Sequence, residues 1–141
     1  MDELELATGL MRVRTMMRLL DFPRDRSFTS MSTLGHLERG GPHRLTELAE
    51  LEGVTQPAMT QLVSRLEREE LAVRRPDPED GRVVLVEITP QGRDELARRR
   101  TALAKRLADA MAELPEADKA AIAAALPALD RLVTRAIGGT L

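Results

Sequence analysis

The chain has 141 residues, 43% of them hydrophobic and 31% charged, which bounds it to one globular domain of ordinary size with a real core. It has no cysteine, excluding disulfides, thiolate metal sites and a thiol redox switch, and its two aromatic residues, Phe22 and Phe28, argue against base-stacking binders of single strands. The net charge of −2 carries no nucleic-acid signature of its own, and the acidic start Met1-Asp2-Glu3-Leu4-Glu5 and lack of a long apolar run predict a soluble, cytoplasmic protein.

In chain order, Leu6, Leu10, Val13, Met17 and Leu20 recur at spacings of three and four and predict one apolar stripe on a helix from Glu3 to Asp21. Phe22-Pro23-Arg24-Asp25-Arg26 breaks it, because proline removes a donor and restricts its predecessor. Ser27 or Thr29 caps a second helix through Met31, Leu34 and Leu37, which stops at Gly40-Gly41-Pro42. His43-Arg44-Leu45 reads as a short extended bridge. Thr46 then suits the N-cap of a third helix with a buried edge of Leu48, Ala49 and Leu51, closed by a turn at Gly53.

Thr55 caps the fourth helix, and Pro57 falls in its first turn, where a missing amide costs nothing. Met59, Leu62, Val63 and Leu66 define its buried face. The opposite face carries Pro57, Thr60, Gln61, Ser64, Arg65 and Arg68, and none of these is acidic. This position resolves an unfavourable balance, since residues 44–93 hold seven arginines against ten carboxylates. Glu67, Glu69 and Glu70 gather at the far end of the helix.

Val73-Arg74-Arg75 and Val83–Ile88 predict two strands joined by the turn Asp77-Pro78-Glu79-Asp80-Gly81-Arg82, a hairpin that presents Arg82 at its tip. Thr89-Pro90 repeats the cap-plus-proline start of a helix. That fifth helix is long, with Leu96, Leu103, Leu107, Ala110 and Met111 on its stripe and Arg98-Arg99-Arg100 outside it. Leu114-Pro115 ends it, and a last helix follows on Ile122, Leu126, Leu129, Val133 and Ile137, with a kink expected at Pro127.

The fold class is therefore mainly α with a small β-hairpin wing (α+β). A single domain spans residues 1–141, with a winged helix-turn-helix over 29–89, whose second helix suits a DNA major groove. The terminal helices, 1–21 and 90–141, carry stripes that this small part cannot cover alone. They predict a homodimer built on helices from both chain ends.

The runs Leu45–Ala49, Val54–Glu67, Asp77–Val86 and Thr89-Pro90-Gln91-Gly92 resemble the MarR family of bacterial transcriptional regulators over nearly the whole chain. The resemblance implies a homodimer on a pseudo-palindromic double-stranded DNA operator. It further implies a repressor released by a small phenolic or lipophilic effector seated between dimerisation helices and reader. Carried over by position, Gln56, Pro57, Thr60, Gln61, Ser64 and Arg65 face the major groove, and Arg82 is the wing residue for the minor groove. Asp80 matches a wing aspartate that orients an arginine, while Gly81 stands where the family often has a basic or polar residue.

Gln61 and Arg65 lie four apart and can point into one groove, where glutamine pairs with adenine and arginine with guanine at roughly 1–3 kcal/mol of discrimination each. Arg44, Arg74 and Arg75 are phosphate candidates, and one of the last two is expected to run along the sheet or pair with Glu87. His36 and His43 lack a third ligand, so His36 reads as an inter-helix packing residue, His43 as a loop residue, and no metal or cofactor is implied. Met11, Met16, Met17 and Met31 suit core packing better than a pocket. No nucleophile stands with a base, so no enzyme is predicted. The rival reading is a ligand-binding or protein-interaction module that has lost DNA binding.

Overall fold

Helix α1 spans Glu3–Leu20 and opens with a capping box, in which Asp2 Oδ1 accepts from the Glu5 amide at 2.8 Å and Glu5 Oε2 accepts from the Asp2 amide at 2.9 Å. The computed structural model describes residues 1–21 and 27–138, so the break expected at Phe22-Pro23-Arg24-Asp25-Arg26 lies outside the described residues. Helix α2 is Phe28–Gly40, and of its two candidate caps the structure uses Ser27, whose Oγ accepts from Ser30 N at 3.0 Å. Strand β1 (His43–Arg44), helices α3 (Leu45–Glu52) and α4 (Gln56–Arg68), strands β2 (Ala72–Pro76) and β3 (Val84–Ile88), and helices α5 (Pro90–Ala112) and α6 (Glu116–Ile137) complete the order.

Met1–Leu103 and Ala104–Leu141 form two compact units. The first holds the core, where Leu34 and Leu37 of α2, Leu48 of α3, and Met59, Val63 and Leu66 of α4 are buried with Leu71 and Val86. The sheet is three-stranded and antiparallel, in the order β1-β3-β2. The segment read as a bridge is thus an edge strand, with His43 paired to Val86 and Arg44 to Leu85. In the second unit, α6 runs through Pro127 as one helix with no buried residue, and Ile122, Leu126, Leu132 and Ile137 are exposed.

Four local expectations are corrected. Thr46 is not a cap: α3 starts at Leu45 after Arg44, which makes no side-chain cap bond. Pairing of Arg44 with Leu85 holds the chain extended right up to the helix, so the helix begins two residues earlier than the hydroxyl suggested. Leu51 is 52% exposed, and Glu52 takes its place on the buried stripe that begins at Leu48.

Helix α4 ends at Arg68 rather than Glu70, because Glu70 turns left-handed at φ 61° and the Leu71 amide folds back onto the Leu66 carbonyl at 2.9 Å. Arg99, placed outside the α5 stripe, is instead 9% exposed. It sits three residues from Leu96 and four from Leu103, on the stripe itself, and its Nε donates to Asp21 Oδ1 at 3.1 Å.

Candidate nucleic-acid interface

Two helices and a turn set the reading helix. Gly53 closes α3 in the left-handed conformation, φ 65°, and its amide and that of Val54 satisfy the end of the helix. Val54 packs against the core, which fixes where the next helix starts. Thr55 Oγ1 accepts from Ala58 N at 3.3 Å, and Pro57 occupies the first turn as the sequence predicts. Met59, Val63 and Leu66 then bury one face of α4, with Leu62 half-buried.

Burying that face leaves Gln56, Pro57, Thr60, Gln61 and Arg65 exposed on the other. Among the described residues Arg65 and Arg68 have no ion-pair partner, so both guanidinium groups are available to an outside anion. The first carboxylate along the helix is Glu67, eleven residues in, and an Arg74 guanidinium pairs with it. Thr60 is partly committed to its own helix, since Oγ1 donates to the Gln56 carbonyl at 2.9 Å. Ser64 is half-buried and lies 3.4 Å from Arg74 Nη2.

The wing hairpin pairs in register from Ala72–Ile88 to Pro76–Val84. At its tip, Asp77 and Asp80 each close a local turn by accepting an amide two residues on, Glu79 at 2.9 Å and Arg82 at 3.1 Å. The Arg82 side chain is 94% exposed, and its Nε reaches the same Asp80 Oδ1 at 3.4 Å. Asp80 thus both shapes the turn and steers the arginine, and the Nη atoms remain for another acceptor. Arg75 pairs with Glu87 at 2.8 Å, the alternative allowed for one of the two strand arginines. Arg44 is about half exposed, with Nε 3.9 Å from Glu47, a loose contact that a phosphate can displace.

His36 joins two helices as expected, whereas His43 lies in strand β1 rather than in a loop. His36 of α2 lies 3.3 Å from Glu52 of α3, joining the helices that precede the turn, and His43 Nδ1 is 2.7 Å from the Gly41 carbonyl. Among the described residues no three histidines or carboxylates gather as a metal site, and no helix is long and apolar enough to cross a membrane. Sequence reasoning missed the contacts of Arg74 and Arg99. Both are basic residues that pattern-reading places at the surface, and only the fold supplies their partners.

The MarR family model matches residues 27–84, the span from the cap of α2 to the start of β3. Over that span the chain matches the MarR family. Its solved neighbours extend the likeness beyond that span. A protein from Pseudomonas aeruginosa is 28% identical with a TM-score of 0.75, over 92% of this chain and 91% of the other. Transcriptional regulator Tm0710 from Thermotoga maritima gives a TM-score of 0.80 at 23% identity, over 98% of this chain and 100% of its own. Transcriptional regulator BldR from Sulfolobus solfataricus gives 0.60 at 25%, over 96% and 99%. No curated protein sequence matches. The fold is the winged helix of MarR regulators, and the chain is a DNA-binding transcriptional regulator.

Proposed function

We propose that this MarR protein is a homodimeric repressor that binds a pseudo-palindromic operator. Helix α4 enters the major groove and Arg82 the adjoining minor groove. The observation that carries the proposal is the face of α4, where Gln56, Pro57, Thr60, Gln61 and Arg65 are exposed and no carboxylate intervenes. An acidic protein approaches DNA only if its negative charges are turned away or paired, and Glu67, Asp80 and Glu87 are each paired with an arginine. Gln61 and Arg65 supply base contacts, and Arg82 suits a narrow minor groove where negative potential concentrates. Arg44 contributes to phosphate anchoring.

Dimerisation is supported by α1, whose Leu6, Leu10, Val13 and Met17 are all exposed although they form one stripe. A contiguous apolar stripe of this kind is costly in water and is covered in a homodimer. The dimer's role is to set two reading helices one DNA turn apart, roughly 34 Å. Such a protein acts in the cytoplasm, where its operator is.

Release by a small phenolic or lipophilic molecule is supported by a cavity of about 230 Å³ between α2, Asp21 at the end of α1 and the middle of α5. Phe28, Met31, Leu96 and Leu103 supply apolar walls, and Arg39 is a lining cation that can meet an acidic group. Drug-sized ligands occupy roughly 300–1,000 Å³, so this volume suits a single-ring effector.

A gel shift with the gene's own upstream region tests the function, repeated with a panel of single-ring phenols and aromatic acids. A retarded band that such a compound dissolves is the expected result. Absence of any shift would favour a module that no longer reads DNA.

A further inference from the structure

The turn Glu69-Glu70-Leu71 is the covalent link between the reading helix and the wing, and the buried Met59, Val63 and Leu66 hold α4 to the core. One side chain adds a direct tie from the hairpin to the helix. Arg74 stands opposite Val86 in the hairpin, and residues directly opposite in a sheet share a face. Val86 is fully buried, as is Ala72 two positions before Arg74. Arg74 therefore leaves the sheet on its core side and runs along α4, whereas Arg75 leaves on the other face to meet Glu87.

Its planar head is used at several points. Nη1 donates to Glu67 Oε1, and Nη2 lies 3.4 Å from both the Thr60 carbonyl and Ser64 Oγ. The Arg74 amide also approaches Glu67 Oε2 at 3.4 Å. Thr60, Ser64 and Glu67 form one ridge over two helical turns, so a single guanidinium grips the helix along about half its length. The Arg74 and Glu67 side chains are each about two-thirds buried, where such a pair constrains geometry more than an exposed one.

We propose that Arg74 is a positioning residue that fixes the roll of the reading helix against the wing. It sets the register between base contacts from α4 and the minor-groove contact of Arg82 without touching DNA itself. This rests on the DNA-reading assignment above. Ser64 then belongs to the seam between helix and wing, and its hydroxyl acts on recognition through Arg74.

Fluorescence anisotropy on the full chain tests this with two probes over a salt series. One is a duplex that the wild-type protein selects from a random pool, and the other is a shuffled duplex of the same composition. A positioning role predicts that Arg74→Ala and Arg74→Lys each weaken the selected duplex by about tenfold, the scale of one charge-assisted contact. Affinity for the shuffled duplex and the salt slope stay unchanged. Glu67→Gln, which removes a negative charge near DNA, should still weaken the selected duplex.

A phosphate contact predicts the reverse and would overturn the proposal. Arg74→Ala would then weaken both duplexes and lower the salt slope by about one, Arg74→Lys would restore binding, and Glu67→Gln would strengthen both. If Arg74→Ala melts, Arg74→Lys and Glu67→Gln carry the test alone. Failure of the wild-type protein to enrich any duplex overturns the DNA assignment and this proposal together. Normal selection with unaltered variants overturns this proposal only.

Discussion

Replacing Gly92 with alanine should separate the base of the wing from α5. A Cβ built at Gly92 would stand 2.1 Å from the Leu71 carbonyl oxygen and 2.8 Å from Ile88 Cγ1. The first neighbour is backbone and has no rotamer to escape into, so the helix must withdraw by roughly 1 Å to restore ordinary contact. The same oxygen accepts from the Thr89 amide at 3.1 Å, and Thr89 Oγ1 accepts from the Gly92 amide at 2.9 Å. A withdrawal of that size takes the first bond out of range. Overpacking costs about 1–3 kcal/mol and an unmade backbone bond about 1–3 more, against which alanine's helix preference returns only about 0.5–1. The net loss is about 1–5 kcal/mol, or roughly 3–20 °C in melting temperature. A circular-dichroism melt at fixed protein concentration reads this directly. A variant that melts at or above the wild-type temperature, as helix propensity alone demands, would refute the packing argument.

Glu70→Gly should stabilise the chain by about 0.5–1 kcal/mol, because Glu70 holds φ 61° with its side chain exposed; a denaturant midpoint that fails to rise would contradict this. Leu6→Glu with Leu10→Glu should shift the protein to monomer in sedimentation, whereas an unchanged mass would remove α1 from the interface. Gly35→Leu enters the α2–α5 cavity, and the three atoms nearest the new Cβ belong to the end of Arg39, the closest at 3.1 Å. It should leave operator binding intact and abolish release by single-ring effectors; normal release would move the effector elsewhere.

The reading helix was legible because three independent signals coincide there: the Thr55 cap, Pro57 in the first turn, and a three-four spacing of apolar residues. The hairpin was equally plain, since turn residues from Asp77 to Arg82 separate two β-prone runs. The third strand was not, because two residues carry no periodicity and their partners, Leu85 and Val86, lie some forty positions on. Glu52 and Leu51 show how polarity misleads on a short helix: position 52 continues the stripe of Leu48, yet a leucine next to a glutamate invites the wrong choice. Arg74 and Arg99 show the same limit for charge. Each is drawn inward by a specific carboxylate, and the partner of Arg99 is 78 residues away. Composition hid the site itself, since the reader is net acidic and only the placement of its carboxylates makes it fit for DNA.

In the proposed complex α4 and the wing tip read one duplex together, which sets a single joint geometry. It is tested most directly by the affinities of Arg65→Ala and Arg82→Ala for the duplex that the wild-type protein selects, measured on variants confirmed to melt like the wild type. Each substitution should weaken binding by about tenfold or more, and the salt dependence should become shallower wherever the removed arginine met a phosphate. Wild-type affinity in both variants would contradict it.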